Sequence, residues 1–185
     1  GYFVLPFTIQ NYLSSEIMTP RMPVTLPEFD EAVNQINERI NKLLQVRGKQ
    51  SVDQLHRKFG LLLWDAVGME RNREGLMKAV QDFASLREEF WADVRIPGGA
   101  DEFNPELEKA GRVADFIEMG ELLARDALQR EESCGGHFRE EFQSEDGEAR
   151  RDDDGFMFVA AWEYKGPDQA GELHKEPLIY ENIKV

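Results

Sequence analysis

Cys134 and His137 stand in a C-x-x-H spacing, and two chemistries fit those residue types. A thiolate and an imidazole that close can ligate a metal, or can act as nucleophile and base. A tetrahedral metal site needs two more ligands, and His56 and His174 are the only other imidazoles in the chain. His56 falls at a polar position of a predicted helix, where a solvated side chain is expected. Cys134 is also the sole cysteine. Residues 131–154 hold ten acids and three bases, a setting that disfavours a thiolate nucleophile. The carboxylates Glu140, Glu141, Glu145, Asp146 and Asp152 to Asp154 suggest Ca²⁺ by composition. They lack the D-x-[DN]-x-[DN]-G spacing of a calcium loop, and an acidic run is usually a solvated face. The chain has no G-x-G-x-x-G, no G-x-x-x-x-G-K-[ST] and no G-x-S-x-G. That leaves no common phosphate cradle and no nucleophile elbow. No catalytic, cofactor-binding or metal-binding residue is therefore expected in this chain.

The turn that carries Cys134 remains a candidate for another role. Glu132, Ser133, Cys134, Gly135, Gly136 and His137 follow directly on a long predicted helix. Two adjacent glycines let a backbone take positive φ and approach another surface closely. Two readings stand: a glycine stop for the helix, or a turn that contacts another domain or subunit.

The elements that must position this turn are legible as periodicity. Tyr2, Leu5, Ile9, Tyr12 and Leu13 predict a helix within 1–17, with Pro6 in its first turn. Pro20, Pro23 and Pro27 predict an extended linker. Thr25 and Glu28 read as a capping box for a second helix. Its apolar residues Phe29, Val33, Ile36, Ile40 and Leu43 form a heptad-like seam, closed by Gly48 as a left-handed cap. Ser51 and Gln54 make another capping box, followed by Val52, Leu55, Phe59, Leu62 and Ala66, with Gly68 as the stop. Asn72 caps the next helix, with Leu76, Val80, Phe83, Leu86, Phe90 and Val94 on one side. Asn104-Pro105-Glu106 starts the last, running to about Arg130. Glu121 with Arg125 and Asp126 with Arg130 are spaced as i,i+4 pairs. Its apolar residues cover much of its circumference, so it should touch more than one neighbour. Phe156 to Tyr164 suits a buried strand, and Leu178-Ile179-Tyr180 and Phe138 to Phe142 suit two more.

These elements define a mainly α chain. Residues 1–25 are a helix and linker, 26–130 an up-and-down bundle of three to four long helices, and 131–185 an acidic loop with a short β-ribbon tail. At 185 residues with 41% hydrophobic content and 15 glycines, the chain can bury a core. Its formal charge of −14 argues against nucleic acid and against an anionic membrane face. No run of about 20 apolar residues is present to span a bilayer, and there is no signal-peptide pattern. The chain starts at Gly1 rather than Met, as expected of a piece of a longer protein.

Several segments resemble the C-terminal region of succinate dehydrogenase and fumarate reductase flavoprotein subunits. Glu132 to His137 match E-S-x-G-x-H after a helix ending Ala124-Arg125-Asp126-Ala127-Leu128. Trp64 to Leu76 resemble that family's W-x-x-V-G-(I/M)-x-R-x-x-x-G-L. Gly1 to Leu13 look like the last helix of the flavin domain. Ala114 to Leu122, Ala161 to Lys165 and Lys175 to Leu178 fit as well. Many members carry Arg at the third position of E-S-x-G-x-H, so Cys134 places the chain in the E-S-C-G-G-H subgroup. No role of that Arg carries over.

The resemblance implies a spectrin-repeat-like helical domain bracing a flavin domain. It implies a parent enzyme that interconverts succinate and fumarate through FAD. Electrons then pass to an iron–sulfur subunit, and from there to quinone through a membrane anchor reached only indirectly. The FAD fold and the catalytic residues of the family lie upstream, so this chain should hold no cofactor itself. One Cys is too few for an iron–sulfur cluster. The implied location is cytoplasmic, peripheral on the inner face of a bacterial cell membrane. E-S-x-G-x-H also occurs in L-aspartate oxidases, and the long tail favours the dehydrogenase branch. A free-standing acidic helical adaptor for a basic partner is the alternative from another class.

Overall fold

Three capping residues set the frame of the central helices. The Ser51 hydroxyl accepts the Gln54 N–H, and the Gln54 side-chain oxygen accepts the Ser51 N–H at 2.8 Å. This capping box starts α3, Val52–Val67. Asn72 Oδ1 accepts the Gly75 N–H at 2.8 Å and starts α4, Arg73–Asp93. Asn104 accepts from the Leu107 N–H and Pro105 takes the first helical position of α5, Pro105–Gln129.

The computed structural model describes residues 1–166 and 169–180. In chain order its elements are α1 Val4–Leu13, α2 Pro27–Gln45, β1 Gln50–Ser51, α3, α4, β2 Val94–Arg95, α5, α6 Asp153–Phe156, β3 Phe158–Glu163 and β4 Glu172–Pro177. The chain divides into two compact units, Gly1–Asn41 and Lys42–Val185. The first unit thus takes in most of α2 as well as the 1–25 entry.

Within the first unit, Pro6 lies in the first turn of α1, where its missing N–H costs nothing. Tyr2, Leu5, Ile9 and Tyr12 are all exposed. α2 begins at Pro27, so Leu26 and not Thr25 holds the cap position. Phe29, Val33 and Ile36 of the expected seam are exposed too.

In the second unit α3, α4 and α5 pack on one another as a three-helix bundle. The short connection 68–72 makes α3 and α4 antiparallel neighbours. Val52, Leu55, Leu76, Phe83, Phe90, Val113 and Ile117 are among its fully enclosed residues, and Leu43 joins the same core. The mainly helical class is as the periodicity indicates. Gly48 is not the left-handed cap: Arg47 carries the positive φ, 46°. Gly48 is needed for another reason. A Cβ there would stand 2.0 Å from the Asp93 carbonyl carbon, where its N–H reaches Val94 O at 3.0 Å. This contact starts the parallel pairing of β1 with β2, Gln50↔Val94.

The tail departs most from expectation. β3 pairs antiparallel with β4 from Phe158↔Pro177 to Glu163↔Glu172. β3 alternates buried or half-buried with exposed positions, so it is a one-faced ribbon strand and not a buried one. Leu178 to Tyr180 are not a strand. Pro177 pairs with Phe158, the first residue of β3, and beyond that pair the Leu178 N–H reaches Met157 O at 3.1 Å but no further β3 residue lies opposite. Phe138 to Phe142 form no strand either, because their backbone is spent on single bridges and turns. Trp162 Nε1 donates to Asp126 Oδ1 at 2.8 Å and pins the ribbon to α5. The expected Asp126–Arg130 side-chain pair therefore does not form; Arg130 turns to Glu132 instead. Glu121–Arg125 does form, at 2.6 Å.

Candidate functional site

α5 ends at Gln129 with Arg130 in an extended conformation as its C-cap. Its last carbonyls need partners, and no glycine cap supplies them. A guanidinium does. Arg139, 1% exposed, donates from Nη1 to Ala127 O at 2.9 Å and Leu128 O at 3.2 Å, and from Nε to Glu141 Oε2 at 3.1 Å. A cation at a helix C-terminus also meets the negative end of the helix dipole. The helix-stop reading of Gly135 and Gly136 is thereby replaced.

Ser133 holds that arginine in place. Its hydroxyl accepts the Arg139 N–H at 2.8 Å and donates to Arg139 O at 3.2 Å, fully buried. Between them Cys134 and His137 exchange both backbone bonds, at 2.8 and 3.0 Å. Gly135 turns this tight hairpin with φ of 57°, while Gly135 and Gly136 are exposed. Glu132, 3% exposed, accepts from Arg130 Nη1 at 2.7 Å and from the Asp152 N–H at 2.9 Å. The acidic segment is therefore only partly a solvated face. Glu131, Glu132, Glu140, Glu141, Asp152 and Asp153 are spent on bonds within the chain.

The turn is joined to the α3–α4 connection through Arg71. Its N–H donates to Phe138 O at 3.1 Å, and its carbonyl accepts the Glu140 N–H at 2.8 Å. Its Nε donates to Gly68 O at 2.9 Å, and its Nη1 lies 2.8 Å from His137 Nδ1. A guanidinium only donates, so Nδ1 is the acceptor and His137 carries its proton on Nε2. That Nε2–H points at Arg130 O, 2.9 Å away. Burial pushes the His137 imidazole below its ordinary value, against the bond to Arg130 O, and the charges of Arg71, Arg139 and Arg130 lower it further. Burial likewise lowers Arg71, with Asp126 opposing.

A neutral imidazole with both nitrogens bonded is a strut. It offers no free lone pair to a metal or to a substrate proton. Cys134, half-buried, brings no such partner to His137. His56 is exposed and stands beside the Phe116 ring, and His174 lies in the β-ribbon. Among the described residues, ligand-type atoms gather closely at Glu163, Glu172 and His174, all exposed. There the Lys165 ammonium bonds both carboxylates, at 2.7 and 2.8 Å.

The six turn residues do come together as one structure. Arg71, Arg130 and Arg139, which order it, stand out by no local pattern of their own. The one signal in the sequence is that Arg71 occupies the fixed arginine of its motif segment. Among the described residues the one parallel strand pair, β1 with β2, is two residues long, and no glycine-rich strand-to-helix turn of the kind that cradles a pyrophosphate is present. No described helix is long and apolar enough to cross a membrane.

The profile of the family described as "Fumarate reductase flavoprotein C-term" matches residues 56–185. A fumarate reductase flavoprotein subunit of Serratia sp. is 24% identical over 135 residues, covering 73% of this chain and 22% of its own length. The fumarate reductase flavoprotein subunit of Escherichia coli is 27% identical over 122 residues, 66% of this chain and 19% of its own length. This chain thus spans about a fifth of the curated relatives it matches. A solved quinol fumarate reductase FrdA variant from E. coli superposes with a TM-score of 0.75 at 21% identity, covering 90% of this chain and 27% of that one. The two motif segments that Arg71 and His137 join both lie within the matched stretch, and the chain belongs to the family of C-terminal regions of fumarate reductase and succinate dehydrogenase flavoproteins.

Proposed function

We propose that this chain is the C-terminal brace of a flavoprotein subunit that interconverts succinate and fumarate, and that it takes no part in the chemistry itself. The observation that carries this reading is the Arg71–His137 joint. It joins the two motif segments with both imidazole nitrogens bonded, and among the described residues no buried side-chain nitrogen or oxygen lacks a partner. Such a joint suits a surface that holds a neighbouring domain in place. The neighbours proposed are the upstream flavin domain, where FAD would reside, and an iron–sulfur subunit. The membrane anchor is reached only through them, at the cytoplasmic face of a bacterial membrane. The relatives named above favour this branch over L-aspartate oxidase. The turn Glu132 to His137 is the proposed contact.

Purified 1–185 should carry no stoichiometric flavin absorption and no succinate-oxidising activity. A yellow chromophore in one-to-one ratio would sink the reading. The parent reading frame should encode a dinucleotide fingerprint and a flavin-linked histidine. In that longer protein, His137→Ala should loosen the flavin domain and lower activity without altering the flavin-binding residues.

A further inference from the structure

The outer face of the β3–β4 ribbon gathers three side chains of the kinds that hold a metal ion. Glu163, Glu172 and His174 are all exposed, and their ligand atoms lie within 4.8 Å of one another. We propose that they bind a divalent transition-metal ion, with Zn²⁺ the best fit. This does not rest on the flavin reading.

The ladder sets the cluster. Glu163 and Glu172 are its last cross-strand pair, and His174 stands two residues along β4, on the same face as Glu172. Trp162 and Leu173 take the other face and are half-buried, with the Trp162 indole bonded to Asp126 of α5. Ala161, opposite His174 on β3, is too small to cover the imidazole.

Like charges directly opposite one another on a ribbon repel, and here a cation closes the pair. The Lys165 ammonium bonds Glu163 at 2.7 Å and Glu172 at 2.8 Å. It marks the place between the two carboxylates where positive charge is held. Ion pairs this open to solvent are worth little, so a divalent ion can displace the ammonium. The imidazole adds what the ammonium does not use. His174 Nε2 lies 2.7 Å from the other Glu163 oxygen. A carboxylate only accepts, so Nε2 carries a proton there. A metal ion takes that position against all three groups, and the ring keeps its proton on Nδ1.

The ligand set names the ion. One imidazole with two carboxylates suits Zn²⁺ and its first-row neighbours, whereas Mg²⁺ and Ca²⁺ are held by oxygen ligands. Zn²⁺ bonds of about 2.0–2.2 Å put tetrahedral ligand atoms roughly 3.3 Å apart. Small rotations of these exposed side chains reach that spacing, and a water completes the four.

The test is calorimetric titration of the whole 185-residue chain, first stripped with a chelator, with ZnCl₂ and with MgCl₂. One Zn²⁺ per chain should bind, at least tenfold more tightly than Mg²⁺. His174→Ala and Glu172→Gln should each weaken Zn²⁺ at least tenfold. Lys165→Met should tighten it at least threefold, because the ammonium no longer competes. Cys134→Ser should leave it unchanged. The ribbon positions lie outside the bundle core, and unchanged circular dichroism checks that the variants fold. In the unaltered chain, Co²⁺ should broaden the His174 ring resonances before those of His56 and His137. The proposal fails if no Zn²⁺ binds, if Mg²⁺ binds as tightly, or if binding survives His174→Ala. It fails equally if binding is lost with Cys134→Ser, if Lys165→Met leaves it no tighter, or if Co²⁺ broadens another histidine first.

Discussion

The unit Gly1–Asn41 and the turn at 130–152 invert the usual relation between hydropathy and burial. The first is apolar and regular, with a complete α1 and most of α2, yet Tyr2, Phe7, Ile9 and Ile36 are exposed. The second is acidic, glycine-rich and almost without regular structure, yet it encloses Glu132, Ser133 and Arg139. An apolar stripe specifies a helix whatever covers it. A charged loop is enclosed only when each polar group has a bond waiting. The turn meets that condition, with a serine, a glutamate and three arginines closing on one another.

The sharpest way to break this contrast is to remove its central charge. Arg139→Leu should destabilise the second unit by about 3 kcal/mol, because it strands the α5 carbonyls and Glu141. Urea unfolding followed by circular dichroism measures it. A loss under about 1 kcal/mol would mean the arginine is no better than a surface charge. Ser133→Ala comes next, at about 2 kcal/mol, since the Arg139 N–H loses its acceptor in a dry site.

How much of this was legible follows from the range of the interactions. The Ser51, Asn72 and Asn104 caps are legible because each cap and the N–H it accepts lie three residues apart. Glu121–Arg125 was legible for the same reason. Asp126 and Arg130 have the same spacing, but Trp162 and Glu132 claim them from outside the helix. Leu178 to Tyr180 have the composition of a strand, yet the register sets Pro177 opposite Phe158, where β3 begins, and leaves them no β3 partner. Arg71 lies 66 residues from His137 in sequence, and no local pattern announces such a bond. The resemblance named both segments without showing that they touch.

pH separates the two regions by a smaller amount. His137 is held neutral, with its imidazole below the ordinary 6.5. Below that value the unfolded chain takes up a proton that the folded turn resists. Stability from this group is therefore present above pH 6.5 and is lost as pH falls. Thermal unfolding between pH 7.5 and 5.5, compared with His137→Gln, should show a shallower decline in the variant. Equal slopes in the two proteins would mean that the strut ionises as freely as a solvated histidine.

The smallest effect on stability is expected in the first unit, and there the comparison is sharpest. Ile9→Ser changes an exposed residue of α1, so the unfolding free energy should move by no more than about 0.5 kcal/mol. The same stripe of Tyr2, Leu5, Ile9 and Tyr12 is a contiguous apolar surface of the kind that marks a contact. Self-association of 1–185, read by sedimentation, should therefore weaken in the variant while stability holds. A fall in stability with unchanged association would place Ile9 in a core, and the apolar unit would then obey hydropathy after all.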